Sequence, residues 1–279
     1  MKLWTMAKAA AGALILSTAL AASPAQAQDA AQALSKQSVI EQIKERGVLK
    51  VGVSFFVPWV MRDTKGDLVG FEVDIAKKMA KDMDVDVEFV PTAWDGIIPA
   101  LVSGKFDVII GGMTITPARN LTVNFSDPYD FTGMTLYANK KMTEGFTQED
   151  FNSPDVTFSA RRGATPVAAI QEAFPKAKLL QFDEDGAAVQ EVLNGRAHAT
   201  MASEPTPTRE VAKHPDVLYK PLGGALFRKG AAGVVLRKGD PDALNFFNNW
   251  IAINWRNGFL EEKNNYWFES LAWEKDIPK

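Results

Sequence analysis

The chain has 279 residues, no cysteine, two histidines and a formal net charge of −3, and 46% of its residues are hydrophobic. The lack of cysteine excludes a disulfide framework, thiolate chemistry and Cys-based metal sites, and the interspersed charges exclude the basic field that nucleic acid or an anionic membrane would need. His198 and His214 are well separated and lack the spacing of a metal-ligand pair, so neither a metal nor a cofactor is expected.

Lys2 and Lys8 precede a nearly unbroken apolar run, Ala9 to Ala22, and Ala25-Gln26-Ala27 fits a small-x-small cleavage site, so residues 1–27 read as a signal peptide. The run is shorter than the roughly 18 residues of a spanning helix. Later apolar stretches, around Phe106 to Met113 and Phe246 to Trp255, are interrupted by charged or amide residues. The expected product is a soluble, exported, periplasmic chain that starts near Gln28. Its length of about 250 residues suits one large or two medium domains.

In chain order, Ser38 to Arg46 predicts a short amphipathic helix ended by Gly47, and Val48 to Val53 predicts a strand. Lys65-Gly66 marks a turn, Phe71 to Met83 a helix, Val85 to Pro91 a strand, Asp95 to Ser103 a helix and Asp107 to Ile110 a strand. A second run of the same kind follows, with strands at Thr157 to Ala160, Lys178 to Phe182 and Ala197 to Met201 and helices at Pro166 to Phe174 and Gly186 to Asn194. A strand at Gly233 to Arg237 and helices from Pro241 to Tyr266 close the chain. Alternation of this kind implies α/β units with parallel pairing and a ligand edge at the carboxyl ends of the strands. The expected division is residues 28–138 for a first lobe, 139–230 for a second and 231–279 for a return to the first. The two crossings are expected near Tyr137 to Lys141 and Arg228 to Gly233.

Four ordered stretches carry a family resemblance: Gly-Asp-Leu-Val-Gly-Phe-Glu-Val-Asp-Ile-Ala at 66–76, Trp-Asp-Gly-Ile-Ile-Pro-Ala-Leu at 94–101, Gly-Lys-Phe-Asp-Val-Ile-Ile-Gly-Gly-Met-Thr-Ile-Thr-Pro-Ala-Arg at 104–119 and Phe-Ser-Asp-Pro-Tyr at 125–129. The chain resembles the periplasmic polar amino acid-binding proteins of ABC importers, solute-binding protein family 3. The resemblance implies two Rossmann-like α/β lobes joined by a two-crossing hinge, the type II periplasmic binding protein fold. It also implies a monomer that captures an amino acid or related small carboxylate by hinge closure and delivers it to a membrane ABC permease.

Carried over residue by residue, the resemblance makes Arg119 the grip on a ligand carboxylate, assisted by Thr114 and by the close backbone approach at Gly112. A guanidinium fork matches a carboxylate bidentately and stays charged. Phe56 and Trp94 are expected on either side of the ligand stem, with Trp59 open between that role and core filling. From the second lobe, Gly163-Ala164-Thr165 is expected to offer backbone N–H groups and the Thr165 hydroxyl at a helix N-terminus. The sequence departs from the family at Ser203, where relatives place an Asp for the α-ammonium. Glu204 is then the candidate replacement, if the Pro205 turn swings its carboxylate inward; otherwise the ligand lacks an α-amino group. Ser54, where relatives selective for basic side chains have an acid, argues against lysine or arginine. A cyclohexadienyl dehydratase resembles these proteins too, and Glu204 in a partly dry cleft would be its general acid.

Overall fold

The computed structural model describes residues 38–270 and 272–277. The expected signal peptide at residues 1–27 and the mature start near Gln28 lie outside the described residues. Ser38 opens the helix Val39–Arg46 by accepting from the Ile40 N–H, and Gly47, at φ 71°, ends it in the left-handed conformation that costs glycine least. β1 (Val48–Val53) follows. A small hairpin, β2 (Met61–Arg62) against β3 (Leu68–Val69), frames the Lys65-Gly66 turn and leads into the helix Phe71–Asp82. β4 (Asp86–Pro91), the helix Ile97–Val102 and β5 (Val108–Ile109) complete the first run.

β6 (Asn124–Asn139) is one strand of 16 residues. β7 (Thr157–Arg161), β8 (Lys178–Phe182), β9 (Ala199–Ser203), β10 (Leu218–Tyr219) and β11 (Leu226–Leu236) follow. The sheet order is β4-β1-β5-β11-β6-β9-β7-β8, with β10 on β6. β1 pairs parallel with β4 and β5, and β7 parallel with β8 and β9, as alternating βα units require. The antiparallel pair β6–β11 joins the two parallel groups.

The sequence reading shows no continuous strand at β6, because Pro128 and Gly133 are both strand breakers. In the fold Pro128 faces Gly233 where the β6–β11 register shifts, an irregularity that tolerates a residue without an N–H. β6 carries Tyr129 in one core and Met134 in another. β11 returns from Phe227, which packs on the second core, to Ala232 in the first. The chain therefore leaves the first core before residue 134, and Tyr137 packs with Val192 and Leu218.

The first core gathers Leu49, Val51, Phe71, Met79, Phe247 and Trp250; the helix Pro241–Arg256 packs on β6 and the helix Val39–Arg46, and its Trp250 donates to Asp82 at the end of the helix Phe71–Asp82. The second gathers Leu136, Phe151, Phe158, Ile170, Phe174 and Met201. Each such fully buried side chain contributes about 1.5–3 kcal/mol of burial free energy before ordering costs. A smaller cluster around Ile97, Leu101, Phe106 and Val235 covers the other face of β5.

Candidate functional site

The loop after β5 is built to expose its backbone. Gly112 sits at φ 66°, and a Cβ there would lie 3.1 Å from Trp59 and 3.5 Å from the Glu72 carboxyl. Its N–H donates to the Tyr129 hydroxyl oxygen at 3.3 Å. Glu72 is fully buried, and burial, reinforced by the nearby Asp130 charge, pushes its carboxyl well above the usual range despite a favourable contact from Tyr129. Further on, Thr114 bridges to Ala232, and Thr116 caps the turn Pro117–Asn120 by accepting from the Arg119 N–H at 3.3 Å.

Arg119 projects from that turn. Its Nη1 donates to the Thr114 carbonyl at 2.9 Å and its Nη2 crosses to the Gly163 carbonyl at 3.1 Å. Burial lowers its pKa to about 10, which leaves it cationic at neutral pH. Trp94, in the single turn Trp94–Gly96, donates from Nε1 to the same Gly163 oxygen at 3.3 Å, and its ring centre lies 5.7 Å from the Arg119 guanidinium carbon. Phe56 stacks on Trp59 with ring centres 4.3 Å apart and planes 4° from parallel. Trp59 is 2% exposed and backs onto Phe268, so it is core, and Phe56 is the face it supports.

From the other side come Gly163, at φ 69°, and the first turn of the helix Thr165–Ala173. That helix starts one residue earlier than expected, with Ala164 at the cap and no side-chain capping bond. Ser203 ends β9 opposite Met134 of β6. Phe56, Trp94, Gly112, Thr114, Arg119, Thr165 and Ser203 line one enclosed cavity of about 40 Å³, little more than one water's share of liquid volume. Glu204 is not brought to it. Its carboxylate turns back onto Thr208, accepting from the hydroxyl at 2.7 Å and the N–H at 3.3 Å, and pairs with Lys220 at 3.4 Å. The expectation of an inward Glu204 is corrected: Thr208, four residues on, and Lys220 satisfy the carboxylate, and it borders a separate groove with Thr132 and Lys229. Among the described residues no group of three or more His, Cys, Asp or Glu could hold a metal ion, and no helix is long and apolar enough to cross a membrane.

Residues 49–270 match the family described as bacterial extracellular solute-binding proteins, family 3. The chain belongs to that family. This solute-binding protein is 30% identical over 240 residues to the L-cystine-binding protein TcyJ of Escherichia coli (strain K12), covering 85% of this chain and 88% of that one. It is 25% identical over 240 residues to a cyclohexadienyl dehydratase of Pseudomonas aeruginosa, covering 84% and 88%. It also resembles the crystal structure of a putative ABC transporter binding component from Wolinella succinogenes complexed with lysine, with TM-score 0.77, 38% identity, and coverage of 82% and 99%. The mixed α/β fold with its curled sheet is that of the type II periplasmic amino acid-binding proteins.

The solute-binding protein's cavity also holds Arg161 and Asp185, which sequence reasoning missed. Arg161 ends β7 and is 3% exposed. Its Nε donates to the Asp183 carbonyl at 3.1 Å, its Nη1 to Asp185 at 3.2 Å, and its Nη2 to the Ser54 hydroxyl at 2.5 Å. Burial pushes Asp185 up to about 6, although Arg161 pulls it down. The available signal was position: Arg161 precedes the Gly163 turn at the carboxyl end of a strand, where open α/β sheets bind ligands. The neighbouring Arg162 hid it, since a basic pair beside a turn reads as solvated surface, and Arg162 is indeed half exposed and paired with Asp183 at 3.2 Å.

Proposed function

We propose that this solute-binding protein works in the periplasm, capturing an amino acid or related small carboxylate by hinge closure and presenting it to a membrane ABC permease. One observation carries the reading: the Gly163 carbonyl accepts from both Trp94 and Arg119, so two elements of one side close on a single turn of the other around a cavity that Arg119, Arg161 and Asp185 line. In the proposed division, residues 38–132 and 231–277 form one lobe and 133–230 the other, with the change inside β6 rather than at residue 139. Arg119 holds the ligand carboxylate, assisted by Thr114 and the Gly112 backbone. Phe56 and Trp94 flank its stem, and Thr165 and Ser203 close from the second lobe.

The cavity of about 40 Å³ is too small for an amino acid, so entry requires the lobes to part. Contacts made to both lobes then stabilise the closed form, which is how a permease would tell loaded from empty protein. The protein acts as a monomer, exported through its cleaved leader. A thermal-shift screen against the common amino acids and small carboxylates tests the proposal, because a ligand bound only by the folded state raises the melting temperature. No shift with any of them would overturn it.

The likeness to a cyclohexadienyl dehydratase motivates a second reading, a lyase on this scaffold. Its proposed proton donor, Glu204, faces Thr208 and Lys220 instead of the cavity, which weakens that reading. Incubation with prephenate or arogenate, followed for aromatic product, decides between the two.

A further inference from the structure

The charges around the cavity are unequal. Arg119 and Arg161 approach the Trp94 ring to 5.7 and 5.3 Å, and Asp185 is the carboxylate that shares the cavity with them. The donors of Arg119 end on two carbonyl oxygens, Thr114 and Gly163. Arg161 holds Oδ2 of Asp185, while its remaining reach toward the cavity goes to neutral oxygens, the Ser54 hydroxyl at 2.5 Å and the Phe55 carbonyl at 3.4 Å. Glu184 lies 3.8 Å from Arg161 but is 61% exposed, so water screens it. The cavity thus holds a buried guanidinium, Arg161, and a partly buried one, Arg119, against one partly buried carboxylate, Asp185.

We infer that the ligand is an amino acid with a second carboxylate, in which Arg119 binds one carboxylate, Arg161 the other and Asp185 the ammonium. This rests on the proposed function and narrows it to amino dicarboxylates. Two cations and an anion on the protein are the complement of two anions and a cation on the ligand, and each charge then meets an opposite one. A cationic side chain would instead add to an excess of positive charge, and neither Ser54 nor Ser203 supplies a counter-ion. Ser54 and Phe55 follow β1 on the opposite side of the cleft, so parting of the lobes frees that arm for a carboxylate while Asp185 keeps the guanidinium aimed. A wider groove of about 700 Å³ adjoins the cavity and shares Phe56 and Asp185 with it, so the spacing between the two carboxylates is not tightly limited.

Calorimetric titration of the mature protein with L-aspartate, L-glutamate, L-2-aminoadipate, L-asparagine, L-glutamine, L-lysine and glutarate tests the inference. At least one of the dicarboxylic amino acids should bind about tenfold or more tighter than the amides and lysine, and Arg161→Gln should abolish that preference for the acids over the amides. Because Arg161→Gln strands Asp185, the double variant Arg161→Gln/Asp185→Asn is measured beside it, with the melting temperature of each free protein reporting folding. Amides or lysine binding as tightly as the acids, or an acid's affinity unchanged in either folded variant, would overturn the second-carboxylate assignment while leaving amino acid capture standing. Glutarate binding as tightly as glutamate would overturn the role of Asp185. If no amino acid binds, the proposed function itself fails, and this inference with it.

Discussion

Arg119 and Glu204 show how differently two charged residues of neighbouring motifs can be placed. Arg119 lies beside Trp94, reaches the Gly163 turn and lines the cavity. Arg119→Ala should weaken carboxylate binding by about 2–5 kcal/mol and leave folding nearly intact, and Arg119→Lys should recover only part because an ammonium lacks the planar fork. Titration with the ligand identified by the screen checks both. Glu204 makes its bonds outside the cavity, with Thr208 and a partly exposed Lys220. Glu204→Gln should therefore leave ligand affinity within about twofold and cost under about 1 kcal/mol of stability, since a partly exposed pair is worth little. A large loss of affinity for amino acids but not for their deamino analogues would restore Glu204 to the site.

At the scale of elements, the ligand-facing loops depend on what lies beneath them. Gly70 sits at φ 136° at the start of the helix Phe71–Asp82, and a Cβ there would fall 2.2 Å from the Trp59 carbonyl oxygen. Backbone cannot yield as a side-chain tip can. Gly70→Ala should cost about 3 kcal/mol or more in denaturant unfolding, and it should weaken ligand binding by displacing the Phe56–Trp59 stack. Below the same loops, burial raises Asp130 to about 6, outweighing the hydrogen bonds from Phe131, Trp59 and Asn264. Its pKa in the unfolded chain is near 3.9. The folded state therefore holds the proton more tightly, and the stabilisation is fully present below about pH 4 and lost as pH rises through about 6. The shift corresponds to at most about 3 kcal/mol. Asp130→Asn should remove this decline, so the difference in unfolding free energy between variant and wild type should grow between pH 4 and 6 and stay level above it. A constant difference across that window would show that Asp130 titrates normally.

Across the whole molecule, function depends on two cores that share one sheet. The long pair β6–β11 joins them, and its register shifts at Gly233 and near Leu226 and Arg228. A two-strand connection bends without unfolding either core, the geometry of hinge closure. Arg161 with Ser54, Thr206 with the Val57 carbonyl at 3.2 Å and Trp94 with Gly163 already join the two sides in the closed form. Small-angle scattering should show a smaller radius of gyration with saturating ligand than without it. Ser54→Ala, which removes one of these contacts and no ligand charge, should shift the free protein toward the open form. Identical scattering in both states would argue against closure as the capture step.

Local order sufficed for much of this protein. Apolar periodicity and glycine stops mark the helices Val39–Arg46 and Phe71–Asp82 and strands β1, β4, β7 and β8, because each of these depends mainly on residues within a few positions of itself. The family resemblance carried by the stretches at 94–101 and 104–119 points to Trp94, Gly112, Thr114 and Arg119, which the fold brings to one cavity. Long-range contact decided the rest. β6 is continuous across Pro128 and Gly133 only because β11 supplies a partner with a matching irregularity. Arg161 and Asp185 become cavity residues only when β7 and the helix Asp185–Leu193 meet Ser54 across the cleft. Glu204 leaves the cavity because Thr208 and Lys220, neither of them in its motif, offer its carboxylate donors first. Which way a charged side chain turns at the end of a strand is set by partners that only folding brings near, and no spacing in the sequence records them.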